Sequence, residues 1–153
     1  MMGMFMASSL SARLRRLESC MALLAELYGR LEYLQPTVQG LIGYLAGQER
    51  FAHLTFLKTC SVAMLEGETF SASWQAALDE YSHMLGKEEV AILADLGGVL
   101  GQSNLENQLN AITLVRQRLD VRIHEVREKV VTQGKLYRSM GILGGAAAAI
   151  ILI

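Results

Sequence analysis

The sequence predicts an all-α bundle of about six helices, with long first and last helices and a C-terminal membrane segment. Three observations predict it. Apolar residues recur at spacings of three and four along most of the chain, no stretch alternates apolar and polar residues as a half-buried strand would, and glycines punctuate the pattern at intervals suited to short helix connections. With 153 residues, one proline and a hydrophobic fraction of 52%, the chain can bury a core and is not a disordered polymer.

The first helix is expected over 11–34. Leu10, Leu14, Leu17, Met21, Leu24, Tyr28 and Leu31 form an unbroken stripe, while Arg13, Arg16, Glu18, Glu26, Arg30 and Glu32 lie off it. Pro36 stops this helix, because the residue before a proline resists the helical region, and then opens a short second helix to residue 46. Gly47 separates a third helix, over 50–66, whose Phe51, Leu54, Leu57, Val62 and Leu65 are available to a core. Gly67 is its C-cap. Thr69 or Ser71 caps a fourth helix carrying Trp74, Ala77, Leu78 and Tyr81, which closes at Gly86. The fifth, over 87–96, turns Val90, Leu93 and Leu96 inward and ends in the glycine-rich turn 97–101. Ser103 or Asn104 starts the longest helix, which continues into the tail. Its stripe is Leu105, Leu109, Ile112, Leu119, Ile123, Val126, Val130 and Tyr137, interrupted at Arg116 and Gln133. The first and last helices share one period and are expected to pack together.

The end of the chain has a different character. Residues 140–153 read MGILGGAAAAIILI, without a charge. At 1.5 Å per residue this run reaches about 21 Å, short of the roughly 30 Å hydrocarbon core. Snorkelling by the flanking Lys135 and Arg138 and local thinning of the bilayer make up the difference. Gly141 and Gly145, four apart, let another helix approach closely inside the membrane. The N-terminal MMGMFMASSL is apolar but too short to span. The expected organisation is therefore a remnant of a membrane segment over 1–10, a helical bundle over 11–138 and a tail anchor over 139–153. Arg13, Arg15, Arg16, Lys135 and Arg138 flank the two apolar ends on their inner sides, which places the bundle in the cytoplasm by the positive-inside rule. Cys20 and Cys60 are isolated and fit reduced packing residues.

The formal net charge of −1 is a cancellation. Residues 49–95 carry Glu49, Glu66, Glu68, Asp79, Glu80, Glu88, Glu89 and Asp95 against Arg50, Lys58 and Lys87. Residues 96–138 carry an excess of bases. An acidic and a basic pole follow, which suit a charged protein partner, whereas the nearly neutral total excludes a general nucleic-acid binder. No enzyme emerges. His53, His83 and His124 fall on different helices, and the Glu80–His83 pair stands alone where a helix-bundle metal site needs the spacing twice. Gly97, Gly98 and Gly101 lack the Gly-Lys-Ser/Thr ending of a phosphate loop. None of Ser61, Ser71, Ser73, Ser82 and Ser103 lies in a nucleophile elbow. No catalytic residue, cofactor or metal is expected.

The order of these features resembles a known family. Arg13-Leu14-Arg15-Arg16-Leu17 opens the first helix and Leu31-Glu32-Tyr33 lies near its end. Ser73-Trp74, Leu85-Gly86-Lys87-Glu88-Glu89 and Leu96-Gly97-Gly98-Val99-Leu100-Gly101 follow. Asn104 and Gln108 come next, and Leu136-Tyr137-Arg138-Ser139-Met140-Gly141 leads into the apolar tail. Over residues 11–153 this resembles the stage III sporulation protein AB family of endospore-forming bacteria. The resemblance implies a fold similar to the cytoplasmic domains of the type II secretion and type IV pilus F proteins. It also implies a place in a membrane complex at the mother cell–forespore boundary, a cognate cytoplasmic secretion-type ATPase as partner, and other membrane subunits beside it. The family opens with a full spanning helix, of which about ten apolar residues stand here.

The expected function is mechanical coupling: a membrane-anchored bundle offers a charged cytoplasmic face to the ATPase, alone or as a homo-oligomer. The partner-binding candidates are Glu66, Glu68, Asp79, Glu80, Glu88 and Glu89 on the acidic pole, with Arg116, Arg118 and Arg122 on the basic one. The alternative is a freestanding soluble helical-bundle interaction protein whose apolar tail packs in its own core or in a homo-oligomer.

Overall fold

A computed structural model describes the backbone of residues 2–152 and the side chains of residues 10–131. Among the described residues there are six α-helices and no strand: α1 (Met2–Leu34), α2 (Val38–Ala46), α3 (Thr55–Leu65), α4 (Phe70–Leu85), α5 (Lys87–Ala94) and α6 (Leu105–Leu152). Two short 3₁₀ turns, Glu49–Phe51 and Asp95–Gly98, join them. α1 packs most extensively on α6, α3 on α4, and α2 on α3.

The long helices are antiparallel. Arg127 of α6 pairs with Glu18 of α1 at 2.9 Å, while Leu31 near the end of α1 and Leu105 at the start of α6 line one hollow. The buried face of α1 is Leu17, Cys20, Leu24, Leu27 and Leu31, with Leu23 beside it. This corrects the expected stripe by part of a turn. Cys20 and Leu27 hold the inward positions, and Leu14, Met21 and Tyr28 flank them half-buried. Cys20, a small apolar residue in its packing, carries the same 3–4 spacing that the larger side chains beside it obscured. Both cysteines are free and buried, and burial pushes each thiol up to about 12.

α1 closes where Gln35 takes a left-handed φ of 44°, the geometry by which many helices end. Pro36 lies outside α2 rather than opening it. Thr37 is the N-cap, its hydroxyl accepting from the Gly40 amide at 3.1 Å. The third helix is shorter than expected, because the chain first makes the 3₁₀ turn that buries Phe51 and then sets Leu54 in a non-helical conformation. Phe56, Leu57 and Cys60 fix the inward face of α3. Val62 and Leu65, expected in the core, lie on the other side of the helix and are 45% and 70% exposed.

Thr69 rather than Ser71 caps α4, accepting from the Ala72 amide at 3.2 Å. Trp74, Ala77, Leu78, Tyr81 and Leu85 are all buried on this helix. Trp74 lies edge-on to Phe56 at 5.6 Å between ring centroids and beside Phe70 at 5.4 Å, and its indole N–H donates to the Leu93 carbonyl at 2.8 Å. Gly97 passes so close that a β-carbon there would sit 3.2 Å from the indole Cδ1. Tryptophan at 74 thus ties α4 to α5 and to the turn behind it. Trp74→Phe keeps most of the ring contact and loses the buried hydrogen bond, and is expected to lower the unfolding free energy by about 1–2 kcal/mol. Urea denaturation checks this, and a loss below about 0.5 kcal/mol would contradict the role given to the indole N–H.

Asn104 rather than Ser103 caps α6, its side-chain oxygen accepting from the Asn107 amide at 2.8 Å. Gln108 reaches back to accept from the Gly101 amide and donate to the Ser103 carbonyl. The inward residues of α6 are Ile112, Val115, Leu119, Ile123 and Val126. Val115 fills the position that the sequence pattern left to an interruption at Arg116, which is half-buried beside it. Leu105, Leu109 and Val130 are also half-buried. Gln133, Tyr137 and the membrane-segment residues of 139–153 lie outside the residues whose side chains are described, as do residues 1–9. Among the described residues no helix is long and apolar enough to cross a membrane.

Candidate functional site

α4 and α5 meet at a single glycine. Gly86 has φ 114° and ψ 151°, a conformation open to glycine and strained for any other residue. The sharp turn places Glu89 one turn into α5 with its side chain directed inward, fully buried. Two arginines from helices distant in sequence close on it. The Glu89 Oε1 atom accepts from Arg13 Nη2 of α1 at 2.6 Å, and from Arg122 Nε and Nη2 of α6 at 3.1 and 2.9 Å. One carboxylate thereby joins three helices.

The surroundings complete the arrangement. Arg13 Nε also donates to the Leu85 carbonyl at 2.6 Å, and Arg16 Nη1 donates to the Met84 carbonyl at 3.2 Å, so the end of α4 is capped by side chains of α1. Arg122 bonds further to Glu88 at 2.9 Å and to Glu125. Gly86 is close enough that a β-carbon there would run into Arg13 and Glu89. Burial raises the pKa of the Glu89 carboxyl, but the hydrogen bonds from Arg13 and Arg122 outweigh it and hold the group below its ordinary value of 4.5. Glu89 in turn raises Arg122. Glu89 Oε2 is buried without a hydrogen-bond partner. The carboxylate is buried and held by two cations, an arrangement that braces the fold.

This clamp divides the acidic pole. Glu88, Glu89 and Asp95 face α6 and are tied to its bases, Asp95 pairing with Arg118 at 2.8 Å. Glu89, expected as a surface contact, is instead wholly inside the bundle. Arg122 and Arg118 spend charge on these internal pairs, so the basic pole is less free than the sequence suggested. Glu66 and Glu68 on the α3–α4 connection and Asp79 and Glu80 on α4 remain exposed. Asp79 accepts from the Gln75 side chain at 2.9 Å. Lys135, Arg138, Gly141 and Gly145 lie outside the residues whose side chains are described.

Sequence reasoning missed Arg13 as the partner of Glu89, 76 residues away. The available signal was the pairing of an arginine run on the first helix with a glycine three residues before a glutamate. His53, His83 and His124 stay on the surface, His124 beside Asp120 at 3.5 Å. Among the described residues no group of three or more His, Cys, Asp or Glu is placed to hold a metal ion.

Fold and site together define an α-helical scaffold whose distinctive residues hold helices to one another. The chain belongs to the stage III sporulation protein AB family, whose model matches residues 1–153. It matches no curated protein and no solved structure. Several of the residues that suggested the family have a structural task. Arg13, Gly86 and Glu89 build the clamp, Trp74 and Gly97 pack together, and Gly101, Asn104 and Gln108 start α6.

Proposed function

We propose that this sporulation protein is a non-enzymatic, membrane-anchored component of a secretion-like channel complex at the mother cell–forespore boundary. It couples a cytoplasmic secretion-type ATPase to the other membrane subunits. In this reading the bundle is similar to the cytoplasmic domains of the type II secretion and type IV pilus F proteins, faces the cytoplasm, and is anchored in the mother-cell membrane by residues 139–153.

The observation that carries the reading is the antiparallel pairing of α1 with α6. It brings Leu10 and Val131 to the same end of the bundle, and the apolar sequence of 1–10 and 139–153 continues outward from those two points. In the sequence Arg13, Arg15 and Arg16 follow Leu10, and Lys135 and Arg138 follow Val131, the basic flanks that the positive-inside rule associates with a cytoplasmic face. The clamp supplies the mechanical link. A displacement of the α3–α4 hairpin passes through Gly86 to α5, and through Glu89 to Arg13 and Arg122 on the two helices that lead to the apolar ends.

Fractionation of cells making the full chain, or a chain ending at Arg138, tests the anchor. The full chain is expected in the membrane fraction and the shortened one to lose tight attachment. Recovery of both as soluble, monodisperse protein would contradict the anchor and favour a freestanding helical bundle. Co-purification of the ATPase with the full chain tests the coupling. Its retention is expected to weaken as salt rises, since surface charges carry the contact. Failure to recover the ATPase even at low salt would contradict it.

A further inference from the structure

Among the described residues the α3–α4 hairpin keeps Glu66, Glu68, Asp79 and Glu80 exposed and clear of the ion pairs to α6, and a groove runs along it. Two hollows of about 310 and 480 Å³ join at Thr55, Thr59 and Glu80. Phe56, Ala77 and Met84 line the first, while Val62, Ala63 and Glu66 line the second. Leu65, 70% exposed, lies three residues beyond Val62 on α3. Val62 and Leu65 lie outside the inward face of α3, which is made by Phe56, Leu57 and Cys60. Of the charged side chains lining the two hollows, Glu66 and Glu80 stand against Lys58, with His53 and His83 lining the first; Glu68 follows Glu66 on the exposed connection to α4. From Thr55 to Glu66 the groove runs about 16 Å at 1.5 Å per residue, the length of three helical turns.

We propose that this groove is the docking site for an amphipathic helix of another protein, one that presents aliphatic residues to Val62 and Leu65 and basic residues to Glu66, Glu68 and Glu80. Charge complementarity selects that occupant. An acidic helix would be repelled, and a second copy would bring like carboxylates together if the same face met itself. A helix laid in an apolar groove buries its anchors at three- and four-residue spacing, which matches the groove's length and composition. The inference rests on the coupling reading for its biological setting: it places the partner's contact on the hairpin that leads through Gly86 to the clamp.

The test uses the purified full chain in neutral detergent and two fluorescent synthetic 18-residue helical peptides. Both have the same leucine stripe; one carries lysine on its other face and the other glutamate. Fluorescence anisotropy is expected to show binding of the lysine peptide at least tenfold tighter than the glutamate peptide, falling as salt rises. The Glu66→Lys/Glu80→Lys double variant should lose at least tenfold in affinity for the lysine peptide, and Leu65→Ser should weaken it further. These positions are exposed, and an unchanged thermal melt confirms that each variant folds. Equal binding of both peptides, or undiminished binding to the double variant, would overturn the proposal. A benzophenone at position 59 should cross-link to the lysine peptide, and cross-linking only at sites away from the hairpin would also overturn it. Recovery of the ATPase with the full chain is read separately. Its absence contradicts the coupling reading, while the peptide results alone decide the groove.

Discussion

Gly86→Ala is expected to lower the unfolding free energy by about 4 kcal/mol, a large share of the roughly 5–15 kcal/mol that holds a domain of this kind together. Two costs add. At φ 114° and ψ 151° the backbone occupies a region in which a residue with a β-carbon is strained by about 1–3 kcal/mol. The new methyl group also enters the space of the Arg13 guanidinium, whose Cζ would lie 2.9 Å away, and of the buried Glu89 carboxylate. Relieving the contact means moving Arg13 off both Glu89 and the Leu85 carbonyl, so part of the clamp is lost with the turn. Urea unfolding of the full chain in detergent measures the effect. A loss under about 1 kcal/mol would show that the chain reaches the same fold without the glycine geometry.

Arg122→Ala is expected to cost about 3 kcal/mol, because it leaves a fully buried carboxylate with one cation where it had two. The figure is set at the low end for a broken buried pair, since Arg13 remains and is 30% exposed at its side chain. Acid should reveal the same interaction. The folded-state pKa of Glu89 is depressed below 4.5, so the stability it provides is present above that value and is lost as the pH falls through the lower, folded-state value. In Arg122→Ala the depression is smaller, so the variant should lose less stability than the parent between neutral pH and the acid range. Parallel curves for the two proteins would contradict the assignment of the acid loss to this pair.

The helices were legible in the sequence because their signals are local. Gln35, Gly67 and Gly86 take positive φ where helices end, and Thr69 and Asn104 start helices through bonds to amides three residues ahead. The inward faces of α4 and α5 were readable for the same reason, since Trp74, Ala77, Leu78, Tyr81, Val90 and Leu93 repeat every three or four residues. Where two faces of a helix are both apolar, periodicity no longer chooses between them. α1 therefore turned toward Cys20 and Leu27, and α3 left Val62 and Leu65 outside.

The clamp was illegible for a different reason. Glu88 and Glu89 are adjacent, and in sequence both read as surface charges of a first helical turn. Their fates separate only when α1 and α6 fold over α5: Glu89 is enclosed, while Glu88 stays exposed and touches Arg122 from outside. Nothing local marks which of two neighbouring carboxylates a distant arginine will meet. The uneven charge was real, but three-dimensional pairing spends part of it inside. Glu66, Glu68, Asp79 and Glu80 on the α3–α4 hairpin stay exposed.

In the proposed coupling, one buried carboxylate binds α1, α5 and α6 into a unit that transmits motion between the hairpin and the apolar ends. A double-mutant cycle tests it most directly, with Glu89→Gln and Arg122→Met made singly and together and their unfolding free energies measured in urea. The account predicts a coupling energy of about 2 kcal/mol between the two positions, with a second cycle through Arg13→Met giving coupling of the same sign. Additive losses, with coupling near zero in both cycles, would mean that the three side chains lie together without holding the helices, and would contradict the account.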